Sequence, residues 1–427
     1  MRFVLPEVTL FLPGHALHGT SVEVRLDRGH LESMAPSGSS ATLANTENIQ
    51  VIEAARGCSI GPGWIEMRAR ATDPGLPHLE ELSRLLQAGA RGGFTQVGVL
   101  PSTQPAIDSV ERMSYWRERS LGAAAGLLPI AALTRGCKGD EMTDYHQLIQ
   151  AGAIALSDDM GVITDTHKLR IALQYAAQLG ITVVVRAEDP YLNRGIVAHE
   201  GREAVLAGMA GIPAVSEVIA MDRLLRLAQD TGCRLHFSSI STLESVELLK
   251  RAKASGLPVT CDVTIAHLIW DDSTLSSYDS HYKTDPPLRD RATRDGLRTA
   301  CLEGWIDAVS SDHRPIRPEG KDCEFPLAEP GMALIEVVYP LLKEALGSES
   351  DERILGLLSQ GPRAIYGLER PRFEPGEKAD YTLFEPQFRG QFDPDSWISS
   401  GAWAPLKGRN LVGKSRGIVR EWEIRLF

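Results

Sequence analysis

The six cysteines, at positions 58, 137, 233, 261, 301 and 323 of 427 residues, include no C-x-x-C pair and no Cys/His cluster at zinc-site spacing. That scatter excludes a sequence-local zinc module and fits reduced thiols in a cytosolic chain. Long hydrophobic runs are also missing. Pro6, Glu7 and Pro13 interrupt the N-terminus before a signal-peptide core or a membrane helix can form, so a soluble cytoplasmic protein is expected, without a membrane partner. Positive charge is in deficit: 45 Lys and Arg against 56 Asp and Glu leave a net charge of −11. A nucleic-acid partner needs a net-basic face, which this balance does not offer. No G-x-G-x-x-G follows the first strand, and no internal repeat or low-complexity tract stands out.

What the chain does have is length for a large core plus a smaller unit. Residues 8–12, 21–26, 379–384 and 417–424 alternate polar and apolar side chains as antiparallel strands do. Between them run short apolar stretches at 58–60, 96–100, 128–130, 153–156, 181–185, 234–237, 258–261 and 306–309. Helical patterns separate most of these, at 79–90, 168–179, 215–230 and 243–255. Eight buried parallel strands with intervening helices predict an α/β protein, a (β/α)8 TIM-like barrel over 56–369. A small β-rich domain is expected from 1–55 and 370–427, and an open doubly wound sheet is the alternative.

Barrel chemistry sits where strands end at the C-terminal face, so the closing residues of each strand carry the functional reading. They include Pro62-Gly63-Trp64-Ile65-Glu66-Met67-Arg68-Ala69-Arg70, Gly92-Gly93-Phe94-Thr95, Pro101-Ser102-Thr103-Gln104-Pro105, Lys283-Thr284-Asp285-Pro286-Pro287-Leu288-Arg289 and Ser311-Asp312-His313-Arg314-Pro315. In this order, from about residue 50 to about residue 410, they resemble the motifs of the dihydroorotases of the amidohydrolase superfamily.

The resemblance implies a metal site in which histidines have been replaced. Arg68, Arg70 and Arg186 stand at three metal-histidine positions and Ser239 at a fourth. Guanidinium has no lone pair to offer Zn²⁺, so the zinc is expected to be lost. Asp158 stands at the bridging-carboxylate position, with Asp159 the alternative in register, and Asp312 at the general-base position. The family's substrate-gripping Arg, two Asn and His correspond to Thr72, Ser102, Asp285 and Ile316. The three arginines are expected to compensate Asp158, Asp312 and Glu66 in a salt-bridge cluster. An anion pocket and catalysis by Asp312 with arginine electrophiles are the alternatives. His236, His267 and His313 read as hydrogen-bonded packing residues, His78 and His146 as exposed ones.

The expectation is therefore a non-catalytic homologue, without cofactor. By resemblance it would be a homodimer that serves as a structural or regulatory partner of the aspartate transcarbamoylase catalytic chain in pyrimidine biosynthesis. Two alternatives stand beside it: a hydrolase of a cyclic amide or ureide, dihydroorotase- or allantoinase-like, and a small-anion sensor.

Overall fold

The structure is a computed structural model that describes residues 2–38, 49–193, 197–347, 351–393, 396–401 and 405–427. Residues 39–48 of the expected terminal β-domain lie outside that set. Eight parallel strands form one sheet in sequential order: Trp64–Ala69, Phe94–Val99, Gly126–Ala132, Ala155–Ser157, Thr182–Arg186, Leu235–Ser238, Val259–Thr264 and Ala308–Ser310. Just beyond the eighth strand, His313 pairs in parallel with Ala69 of the first, which brings the sheet nearly to closure as a barrel. Helices between strands cover the outside, so strands are buried on both faces and read as apolar runs.

Local sequence sets the helix ends. Asp165 accepts hydrogen bonds from the amides of His167 and Lys168 to open the helix Thr166–Leu179, and Gly180, at φ 68°, closes it. Thr242 caps Leu243–Ala254 by accepting from the Ser245 amide. The helix expected from residue 79 begins only at Leu82. Upstream, the Thr72 hydroxyl donates to the Leu76 carbonyl and accepts from the Glu80 amide, holding residues 72–80 in turns.

The second sheet joins both ends of the chain, in the order Glu423–Leu426, Asn410–Arg420, Asp380–Gln391, Ser59–Pro62, Arg2–Leu10, Ser21–Asp27 and His30–Pro36. Two strand assignments change here. Residues 58–60 belong to this sheet, where Ser59–Pro62 pairs with Arg2–Leu10 and Asp380–Gln391, and the first barrel strand is Trp64–Ala69. Residues 417–424 hold a turn at Glu421 and Trp422 between two antiparallel strands. Among the described residues, no helix is long and apolar enough to cross a membrane.

Candidate active site at the barrel mouth

All six residues of Trp64–Ala69 are buried, including Glu66 and Arg68. A buried guanidinium needs anionic partners, and Arg68 finds two. Its Nη1 donates to Asp312 at 2.6 Å and its Nε to Asp262 at 3.4 Å, while Nη2 donates to the hydroxyls of Ser239 and Ser310. Burial works against its charge, but Asp312 and Asp262 outweigh it and raise the pKa above that of free arginine.

Asp262 is the residue the sequence reading missed. It is fully buried in the seventh strand and accepts from His236 Nε2 at 2.9 Å, the Ser239 amide at 3.1 Å and Ser310 Oγ at 2.9 Å. Burial alone would raise its pKa, and Arg68 with His236 instead brings it below the carboxylate range. A lone acid in the run Thr260-Cys261-Asp262-Val263-Thr264 has no spacing to mark it, only its conflict with an otherwise buried strand.

The expected arginine–carboxylate pairing changes in four places. Arg70 Nη2 bonds Asp159 at 2.7 Å, and Ser102 donates its hydroxyl to the same carboxylate. Burial pushes Asp159 up, but Arg70 and Ser102 bring it below the usual range. Among the described residues Asp158 meets no guanidinium: the Thr134 amide and hydroxyl donate to it at 2.7 and 2.6 Å, and burial lifts its pKa to about 6. Glu66 accepts from the amides of Arg68 and Ser311, and burial lifts it to about 8, so it is largely protonated at neutral pH. Arg186 pairs with Glu188 at 2.8 Å and with Asp285. Asp285, which would repel a carboxylate substrate if alone, is thus neutralised.

Of the other positions, Thr72 is engaged in its turn and Ile316 is buried. His236 lies between Thr260 and Asp262, and His267 between Thr264 and the Pro287 carbonyl, its pKa lowered to about 4 chiefly by burial. His313 Nδ1 accepts from the Ile335 amide at 3.4 Å. His78 and His146 are exposed. Asp159, Ser239 and Asp312 have φ of 53°, 52° and 46°, a left-handed conformation that costs a non-glycine residue energy and is concentrated at functional sites.

Zinc does not fit this centre. The Arg68 guanidinium fills it, and a divalent cation would face that charge while competing with it for Asp262 and Asp312, the two carboxylates that pair with it among the described residues. Among the described residues, no three His, Cys, Asp or Glu side chains converge as a metal-binding group.

A site at the mouth of a (β/α)8 barrel is compatible with many chemistries, and comparison with known proteins narrows the class to the amidohydrolases. The family model described as dihydro-orotase-like matches residues 59–245. The dihydroorotase of Pelotomaculum thermopropionicum is 35% identical over 372 residues, covering 86% of this chain and 87% of that one. A protein of Pseudomonas aeruginosa named dihydroorotase-like protein is 35% identical over 364 residues, covering 84% and 86%. In fold, the chain is similar to the L-hydantoinase of Arthrobacter aurescens, with a TM-score of 0.84 at 19% identity, covering 100% of this chain and 97% of that one.

The chain belongs to the dihydroorotase family. The expectation that it is not an enzyme is corrected by these relatives: chains 35% and 33% identical over most of its length are named dihydroorotase.

Proposed function

We propose that this chain hydrolyses a cyclic amide or ureide, in the manner of a dihydroorotase or an allantoinase, around Asp312. The observation that carries the reading is the state of that carboxylate. Asp312 is held in a left-handed turn just beyond the eighth strand, with one oxygen bonded to Arg68 and its side chain 19% exposed to the mouth. Its second oxygen has no partner among the described residues and is free to accept a proton from water. The water oxygen would attack the ring carbonyl, the C–N bond would break, and Asp312 would return the proton to the leaving nitrogen. Guanidinium charge at the mouth would stabilise the oxyanion.

This reading uses no zinc at the Arg68 centre. With no metal to lower the pKa of the attacking water, turnover should fall well below that of a metal-activated hydrolase. A steady-state assay with dihydroorotate, hydantoin and allantoin tests it, and absence of hydrolysis of all three above the uncatalysed rate would refute it. Contact with aspartate transcarbamoylase, as a homodimer, is a separate proposal that rests on the family resemblance. The names of the relatives reported above do not speak for it.

A further inference from the structure

Four guanidiniums gather at the mouth, and their partners are unevenly shared. Arg68 is satisfied by Asp262, Asp312, Ser239 and Ser310, and Arg186 by Glu188 and Asp285. Arg70 uses Nη2 on Asp159, and its buried Nε has no hydrogen-bond partner among the described residues. Arg314, partly exposed, has neither a side-chain hydrogen bond nor an ion pair among the described residues.

The backbone places Arg314 and Arg70 together. Ala69 and His313 are parallel partners, and the Arg70 amide donates to the His313 carbonyl at 3.0 Å. One residue further out on each chain, Arg70 and Arg314 are lateral neighbours. Like charges directly across a sheet are destabilising. Burial and then Arg70 bring the pKa of Arg314 down to about 10, so it is still charged at neutral pH. The preceding rung pairs Arg68 with Asp312; at this outer rung Arg70 is paired with Asp159, with Asp285 and Asp312 also near, and Arg314 is the guanidinium left with spare donors.

We propose that Arg314, with Arg70 beside it, binds the carboxylate of an anionic cyclic amide at the barrel mouth. Guanidinium is suited to this because its planar fork can give a carboxylate two parallel N–H bonds. The site would restore, from a different strand, the cation lost where Thr72 stands. It would also orient the ring with its amide toward Asp312. The inference rests on the hydrolase reading for the identity of the ligand, and its test reads binding alone.

Dihydroorotate and dihydrouracil share the ring and differ in the carboxylate, so calorimetric titration of both isolates the contact. The intact protein should bind dihydroorotate at least about tenfold more tightly than dihydrouracil, the scale of one charge-assisted bond of roughly 1.5 kcal/mol. Arg314→Met should bring the two affinities within about twofold, and Arg314→Lys, which keeps the charge, should retain part of the preference. Equal binding by the intact protein, binding of neither ligand, or a preference that survives in Arg314→Met would overturn the proposal. A carboxylate preference without hydrolysis would leave the clamp standing and remove the hydrolase reading. Hydrolysis with an unaltered preference in Arg314→Met would do the reverse.

Discussion

Replacing Arg68 by methionine removes a buried cation while nearly preserving its volume. Asp262, at 0% exposure, loses its Nε contact at 3.4 Å, and Asp312 loses its 2.6 Å bond. Breaking a buried pair costs about 3 to 5 kcal/mol because a charge is left without its partner. Asp262 keeps donors from His236, Ser239 and Ser310, and Asp312 is partly solvated, so the lower end, about 3 kcal/mol, is expected. For 427 residues, an unfolding entropy near 2.1 cal/mol/K per residue gives about 0.9 kcal/mol/K, and hence a fall in Tm of about 3 °C.

The pH dependence adds a second signature. Arg68 is the main influence holding Asp262 down against burial, so in the variant the folded-state pKa rises. A folded carboxylate with a raised pKa recovers stability as it takes up its proton, so the deficit should narrow as pH falls from 7 to 5. Arg170→Met, which breaks the exposed pair with Asp230, is the control and should cost below about 1 kcal/mol. Differential scanning calorimetry across that pH range is the assay. A change under 1 °C for Arg68→Met, independent of pH, would refute the reasoning about this buried network.

Glu66→Gln should gain stability relative to the parent as pH rises. Glu66 is raised from 4.5 to about 8 in the fold, so the parent loses stability between those values and the neutral amide does not. Comparison of Tm at pH 5 and pH 9 checks this, and an equal difference at both would contradict it. After chelator washing, elemental analysis should find well below one zinc per chain, because Arg68 fills the centre. One tightly held zinc per chain would contradict that fit. For the partner proposal, light scattering of the chain mixed with aspartate transcarbamoylase at micromolar concentration should give one large species. Two separate species would remove it.

Seven of the eight barrel strands were legible because parallel strands covered on both faces are short apolar runs. The first was assigned to residues 58–60 for the same reason: Ser59–Pro62 is fully buried too, but in the other sheet. Trp64–Ala69 carries Glu66 and Arg68, whose burial only long-range partners can explain. Motif order located Arg68, Arg70, Arg186 and Asp312. It could not locate Asp262, which has no motif, or decide between Asp158 and Asp159, adjacent residues of which only Asp159 meets Arg70. Arg314 stands in the run Ser311-Asp312-His313-Arg314-Pro315, but its lack of an ion pair among the described residues is a property of the fold that no motif carries.

The central claim is hydrolysis that depends on Asp312 and not on zinc. Its most direct test is steady-state hydrolysis of dihydroorotate, hydantoin and allantoin by chelator-treated protein, with Asp312→Asn in parallel. The account expects slow turnover of one of these that survives chelation and is lost, at least about a hundredfold, in Asp312→Asn. No turnover by the parent, or turnover that disappears on chelation and returns with added zinc, would contradict it.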